Sequence, residues 1–436
     1  MESKWSTVRL GDMCEKIGSG ATPRGGSEVY QANGIALIRS QNIYNDGFKW
    51  DGLAFVGEKH AQELENVTVQ TGDILLNITG DSVARACQVP DNVLPARVNQ
   101  HVAIIRPLQD SLDARYLRYY LVSPAMQQYM LALAAAGATR NALTKGMIEA
   151  FRIPAPLLSE QKAIAHILGT LDDKIALNRR MNETLEAMAR AIFKSWFVDF
   201  DPVRAKAEGR QPSGMDAEAA VLFPDSFEDS PLGKIPKGWR EGTVSALGEV
   251  ICGKTPPTSD PLNYGSDMLF ITIPDMHGKV FVTETSKRLS IKGVETQANK
   301  TLPPYSICVS CIATPGLVAI TYEPSQTNQQ INSIIPDNKD TAFYCYYVLH
   351  GLAEEIRARG SGGSVVTNLN KGQFSILPIL IVPKKLMMAF HCTVKQLLEK
   401  LLTNEKQSRT LATTRDALLP KLLSGEINVK NLEEII

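Results

Sequence analysis

Along one stretch of the chain, apolar residues recur at alternating steps of four and three. They run from Ile164 through Leu168, Leu171, Ile175, Asn178, Asn182, Leu185, Ala189 and Ile192 to Trp196, with two asparagines in the middle. A mean step of 3.5 keeps one stripe of a helix against a partner helix. Ser159 and Glu160, behind a Pro-Ala-Pro turn, supply an N-cap and an acidic first turn, and Asp201-Pro202 closes the run. The pattern predicts a single helix over residues 158–198, a rod of roughly 60 Å at 1.5 Å per residue. A helix of that length needs a partner.

The partner lies at the C-terminus. Phe390, Val394, Leu397, Leu401, Asn404, Ser408, Leu411, Arg415, Leu418 and Leu422 step in the same way, each 226 positions after its counterpart, as Phe390 stands to Ile164. The polar interruption repeats in phase, Asn178 with Asn404 and Asn182 with Ser408. Polar seam residues cost stability and fix register. The expected pair is an antiparallel coiled coil related by a pseudo-two-fold, with a domain at either end.

The remaining segments have a different period. GIALIRSQNI, LAFVGEK, GDILLNITGD and VNQHVAIIRP are short Val/Ile/Leu runs between Gly, Asn and Asp, the pattern of β-strands. A helical patch over Ala114–Ala135, a polar loop over 137–141 and a strand FRIPAP lead into the rod. At Trp239 the pattern restarts: Thr255-Pro256 answers Thr22-Pro23, MLFITIPDM answers IALIRSQNI, and Asn328-Gln329 answers Asn99-Gln100. Self-similarity over this length marks an internal duplication. The predicted class is α+β, with domains at 1–157 and 239–384, long helices at 158–198 and 385–425, and a tail at 426–436. Residues 199–238, rich in Pro, Gly, Asp and Ala, read as an extended linker with one short helical turn near Ala217–Val221.

Composition narrows the function classes. The 436 residues carry 46 Lys plus Arg against 46 Asp plus Glu, so any basic groove must come from arrangement and not from excess. No stretch approaches the 18 apolar residues of a membrane span and no apolar leader opens the chain. Seven scattered cysteines fit free thiols in a reducing cytoplasm.

Three motifs invite chemistry that their surroundings oppose. Gly248–Thr255 spells the phosphate-loop pattern G-x-x-x-x-G-K-[ST], but Pro256-Pro257 stands where its helix should begin. Cys308-Val-Ser-Cys311 has no second ligand pair at zinc-site spacing, and reads as two buried thiols. Asp172-Asp173 on the rod reads as a solvated face. No nucleophile–base constellation stands out, and the expected chain is non-catalytic, with no cofactor or metal of its own.

Recognition chemistry remains. Asn and Gln pair with adenine, and Arg and Lys with guanine, at base edges. Loops of the first domain carry Arg39, Gln41, Asn42, Arg85, Asn99, Gln100, Arg140 and Asn141. Those of the second carry Lys254, Thr255, Asn328, Gln329, Thr367 and Asn368. Each can equally serve as a turn residue, Asn99 and Asn328 above all. Rival readings are an assembly scaffold that binds no DNA and a phosphate-loop ATP-binding protein.

The rod opening Ser159-Glu160-Gln161-Lys162, its continuation from Ile164 to Ile175, Phe193-Lys194-Ser195-Trp196-Phe197, Phe200-Asp201-Pro202-Val203-Arg204, Ile235-Pro236-Lys237-Gly238-Trp239 and the closing Leu418-Leu419-Pro420-Lys421-Leu422-Leu423 resemble the specificity subunits of type I restriction-modification systems. The resemblance covers the whole chain and is weakest inside the two domains. It implies two target-recognition domains, each reading half of a split double-stranded DNA site. It further implies two modification (methyltransferase) subunits docked on the helices, with restriction subunits joining the complex. S-adenosylmethionine, Mg2+ and ATP are then expected in the partners.

Overall fold

The computed structural model describes residues 5–136, 141–231, 233–360 and 369–429. Its contacts divide into two compact units, residues 1–177 with 408–436, and residues 178–407. Two helices dominate, Leu158–Phe197 with 40 residues and Lys384–Ser424 with 41. Each gives one half to each unit.

The first unit is built on strands β1 (Cys14–Ser19), β2 (Ile35–Ile38), β3 (Ile74–Asn77), β4 (Ala86–Gln88), β5 (Ala96–Val98) and β6 (Val102–Pro107). An antiparallel sheet runs β4-β3-β6-β1, and β2 lies parallel to β5 in a second sheet. Alternation along a strand sends side chains to opposite faces. Ile74 and Leu76 therefore join Ala103, Tyr116, Ile164 and Leu168 in one core, while Leu75 joins Ile104, Leu37 and Val98 in another. Both faces of β3 are covered, which is why its sequence is a continuous apolar run. The helical patch is two helices, Ala114–Val122 and Pro124–Ala135. Ser123 ends the first in extended conformation and caps the second, whose N1 proline donates no N–H.

The second unit repeats this plan with β7 (Gly248–Cys252), β8 (Tyr264–Ile271), β9 (Ile307–Ser310), β10 (Val318–Thr321), β11 (Ser325–Thr327) and β12 (Ile331–Pro336). The sheet order β7-β12-β9-β10 matches β1-β6-β3-β4, and β8 lies parallel to β11 as β2 does to β5. Single hydrogen bonds repeat too: Tyr116 Oη donates to Pro154 O, and Tyr344 Oη to Leu380 O, both at 3.1 Å.

Residues 199–238 are not an extended linker. Asp201–Ala207 is a helix and Phe227–Ser230 pairs with Gly233–Pro236. Val203 and Phe223 are buried in the second unit's core beside Trp196 and Trp239, with the Trp196 and Phe223 rings edge-on at 5.3 Å. These apolar side chains are spaced irregularly because each fills a separate gap, so they leave no period to read.

His391, on the second long helix, is 5% exposed and stacks on Phe343 at 4.2 Å. Burial, opposed by Asp340 and aided by Lys395 and Lys339, holds its pKa down to about 4. A histidine neutral in the fold but free to protonate when unfolded stabilises the fold fully above about pH 6.5. That contribution is lost as pH falls towards about 4. The second unit should therefore weaken across this window, and His391→Phe should flatten the slope in urea titrations at stepped pH.

In the second unit the two long helices meet through asparagine. Asn178 Nδ2 donates to Asn404 O at 3.3 Å and to Gln407 Oε1 at 2.9 Å, while Asn404 Nδ2 donates to Asn182 Oδ1 at 2.9 Å. Asn182 Nδ2 reaches Leu401 O at 3.3 Å. Numbers rise on one helix as they fall on the other, so the pairing is antiparallel. Asn178 touches its own repeat counterpart, as happens only at the point about which two repeat-related antiparallel helices exchange.

In the first unit the helices meet through charge. Asp172 is not a solvated acid: it accepts from Arg415 Nη1 at 2.6 Å, Arg118 Nη1 at 2.8 Å and Tyr119 Oη at 2.6 Å. Its side chain is 20% exposed. Burial pushes its pKa up, but Arg118, the Tyr119 hydroxyl and Arg415 together outweigh that and hold it below the usual range. Asp173 pairs with Arg115, whose guanidinium also donates to Gly169 O at 3.2 Å. A side chain at Gly169 would meet that guanidinium at 2.5 Å and have to displace it from this bond.

Candidate functional site

Three turns converge at one end of the main sheet in each unit, held by the same backbone bonds. In the first, Ile78 N donates to His101 O at 3.0 Å, Leu143 N to Ile78 O at 2.9 Å, and Ala21 N to Val98 O at 3.1 Å. In the second, Cys311 N donates to Gln330 O at 2.8 Å, Leu369 N to Cys311 O at 3.1 Å, and Lys254 N to Thr327 O at 2.9 Å. A glycine permits the close approach both times. A Cβ on Gly20 would lie 2.1 Å from Val98 O, and one on Gly253 2.1 Å from Asn328 O. Gly253 thus serves backbone packing, and Gly248–Cys252 is a strand paired with β12.

The duplicated asparagines hold the central turn. Asn99 Oδ1 accepts from His101 N at 3.2 Å, and Asn328 Oδ1 from Gln330 N at 3.1 Å, the side-chain-to-backbone bond of an Asx turn. Asn328 Nδ2 is also taken, by Gln330 Oε1 at 2.9 Å. Both residues are buried and brace the turn. The turn role, the alternative that the sequence offered for both, is the one these bonds support. Asn42 is fully buried; its Oδ1 accepts from Arg39 N and its Nδ2 donates to Lys49 O and Asp51 O. With both Nδ2 hydrogens bonded and no exposed surface, the Asn42 amide is spent on its own loop.

Other candidates do face outward. In the first unit a cleft of roughly 760 Å³ is lined by Gln41, Tyr44, Thr79, Arg85, His101 and Asn141, among others. The Arg85 guanidinium lies over the Tyr44 ring at 4.6 Å, and Thr79 Oγ1 bonds His101 Nδ1 at 2.6 Å. Gln100 is exposed beside His101, with 3.1 Å between their Nε2 atoms. Arg39, half-buried, spends one nitrogen on Gly52 O. In the second unit Lys254 and Gln329 are exposed, and Thr255 Oγ1 donates to Gln329 Oε1 at 2.6 Å. Arg140, Thr367 and Asn368 lie outside the described residues.

Tyr44, Thr79 and His101 were not singled out from sequence. Only His101 left a signal, as the residue directly after Asn99-Gln100, in the place that Gln330 takes after Asn328-Gln329.

Cys308 and Cys311 belong to different cores, and burial pushes their thiols up to about 12 and about 11. Among the described residues no cluster of His, Cys, Asp and Glu could hold a metal ion, and no helix is long and apolar enough to cross a membrane.

The family model for the type I restriction modification DNA specificity domain matches twice, over residues 2–187 and 236–388. The HindI specificity subunit of a type I restriction enzyme from Haemophilus influenzae is 34% identical, covering 98% of this chain and 100% of its own length. The MjaIX specificity subunit from Methanocaldococcus jannaschii is 26% identical over 98% of this chain. The crystal structure of an S subunit from M. genitalium superposes with a TM-score of 0.58 at 15% identity, covering 96% of each chain.

Proposed function

The chain belongs to the family of type I restriction-modification DNA specificity subunits, and from that membership we propose how its two units divide the work. It is the non-catalytic, sequence-reading part of a complex with DNA and the other subunits. Each three-turn cluster reads one half of a split duplex site, and the antiparallel helix pair receives two modification subunits. Those partners supply S-adenosylmethionine and the adenine methylation, and restriction subunits supply the chemistry that uses ATP and Mg2+.

One observation supports this reading above others. The two clusters share their backbone bonds, their glycine, their Asx turn and one exposed glutamine, Gln100 or Gln329, yet carry unlike side chains around it: Arg85, His101 and Asn141 in the first against Lys254 and Gln330 in the second. A common frame with unlike tips is what two different half-sites require, because base edges are distinguished by donor and acceptor patterns. The phosphate-loop rival finds its motif folded as a strand.

Mapping methylated adenines after co-expression with the modification subunit tests the proposal. Arg85→Ala should relax base preference in one half-site, and Gln329→Ala in the other. Each lost base contact is worth about 1–3 kcal/mol of discrimination. Should either variant relax both halves, or neither variant relax any, the clusters are not independent readers.

A further inference from the structure

Beside the cleft, the first unit holds a loop that shows an aromatic ring to solvent. Trp50 is 47% exposed, whereas Trp196 and Trp239 are 3% and 2% exposed. The loop is nonetheless rigidly held. Lys49 N donates to Asn42 O at 2.8 Å, and Asn42 Nδ2 donates back to Lys49 O at 2.9 Å and to Asp51 O at 3.3 Å. Leu53 N donates to Trp50 O at 3.0 Å. Gly52, at φ +68°, offers its carbonyl to both Arg39 Nη2 and Gln41 Nε2. A side chain there would stand 2.2 Å from Gln41 Nε2. Phe48 supports the indole edge-on, with ring centroids 5.1 Å apart.

Three residues whose types suggest base reading, Arg39, Gln41 and Asn42, thus serve to hold Lys49, Asp51 and Gly52. Fixing a loop has an entropic cost, and the result here is an indole held with about half of its surface open to solvent. Such preorganisation lowers the ordering cost of binding. The corresponding stretch of the second unit differs. Asp275 takes the place of Asn42 and accepts from Thr272 N and Ser286 N, but its neighbours Met276 and Phe281 are buried. Among the described residues, an exposed tryptophan at this place belongs to the first unit alone.

We propose that Trp50 is a duplex-DNA contact of the first unit, laying its indole against the sugar and base edges of that unit's half-site. The inference rests on reading the adjoining cleft as a DNA site. Gln41 links the two, since it holds Gly52 and also lines the cleft with Tyr44 and Arg85. Aromatic and apolar side chains at a groove stack on or wedge between bases without depending on a donor–acceptor pattern. The indole makes this contact only when the cleft is seated on its own half-site, so Trp50 supplies affinity and register there and leaves discrimination to the cleft. Lys49 is paired with Asp46 at 3.4 Å, but the Arg85 guanidinium over the Tyr44 ring puts positive charge on this side, and that suits a phosphate backbone better than an apolar protein surface.

The test uses the complex assembled with modification subunits and three duplexes: the mapped site, and that site with either half scrambled. Trp50→Ala should weaken binding at least about tenfold to the intact site and to one singly scrambled duplex. Its affinity for the other scrambled duplex should equal that of the unaltered complex. Trp50→Phe, which keeps a ring, should recover much of the loss. Asn42→Ala, which frees the loop but keeps the indole, should give an intermediate loss. Equal weakening on all three duplexes, no weakening on any, or release of modification subunits in native mass spectrometry would overturn the assignment. The last outcome would place a protein on Trp50. Failure of the cleft reading shows separately, as Arg85→Ala leaving both half-sites unchanged, and does not alter how the Trp50 duplexes are scored.

Discussion

Asp172→Ala is expected to destabilise the first unit by about 3 kcal/mol, the low end for stranding the partners of a buried ion pair. The carboxylate is shared by Arg118, Arg415 and the Tyr119 hydroxyl, and the two arginine side chains are only 10% and 21% exposed. Removing it leaves two cations facing each other with little water between them. The second unit shows the alternative solution. The repeat counterparts of Asp172 and Arg415 are Leu398 and Ala189, both fully buried, and Arg118 is answered by Tyr346. The triple variant Asp172→Leu, Arg415→Ala, Arg118→Tyr installs that apolar pattern and should recover most of the loss, since hydrophobic replacement of a buried pair is often neutral or better. Hydrogen exchange resolves the effect by unit: amides of the first should exchange faster in Asp172→Ala and those of the second should hold. The acid dependence follows from the sign of the shift. A carboxyl held below its ordinary value stabilises the fold above about pH 4 and loses that contribution as pH falls through its folded value. Asp172→Ala should therefore also flatten the acid limb of the stability curve. Unchanged exchange in the first unit would mean that the network only decorates the surface.

The same network marks where the sequence stops being legible. The helix pair could be read because its determinants are local and periodic: the 3.5-residue seam, the 226-residue offset and the asparagines in phase. Strand-rich duplicated domains were legible for a like reason, since β3 and β9 each announce themselves as an apolar run between turns. Asp172 is different. Its partners lie 54 residues before it and 243 after, and nothing near Leu171-Asp172-Asp173 separates a shared, half-covered acid from a solvated one. Asn42 is the converse case. Its neighbours Arg39, Ser40 and Gln41 form the string of donors and acceptors expected of a base reader. Yet the amide is spent on a loop seven to nine residues away, and that loop carries Trp50.

Residues 199–238 add a third kind of failure. Proline and glycine fix local turns, and from sequence those turns resemble a linker. Whether Phe200, Val203 and Phe223 are covered depends on Trp196, Trp239 and the second long helix, all distant or across a turn. Outward-facing residues were identifiable as a set of types, and the duplication ranked them by position. Which of them remain free for a ligand is decided by hydrogen bonds made inside the fold, and those appear only once the turns have converged.

Gly253→Ala is expected to destabilise the second unit by about 2–3 kcal/mol, the upper range for overpacking, whereas the neighbouring Lys254→Ala should change stability by less than about 0.5 kcal/mol. The added Cβ would stand 2.1 Å from Asn328 O and 2.5 Å from Thr327 O, both backbone atoms. That backbone has little room to retreat: β11 is paired with β8, and the Asx bond of Asn328 closes the turn behind it. Lys254 is exposed, and only its main chain takes part, through the bond to Thr327 O. A phosphate-binding loop would behave in the opposite way, with the lysine indispensable for nucleotide binding and the glycine cradling phosphate oxygens. Thermal denaturation of the two variants, together with ATP titration of the purified chain, separates the cases. Gly20→Ala provides an internal control, because its Cβ would meet Val98 O at 2.1 Å and Asn99 O at 2.3 Å in the other unit, where no Gly-Lys-Thr motif exists. Matched losses for Gly20→Ala and Gly253→Ala would tie both glycines to the turn that the two units share. ATP binding that disappears with Lys254→Ala, or a Gly253→Ala protein as stable as the unaltered chain, would instead return the motif to nucleotide chemistry.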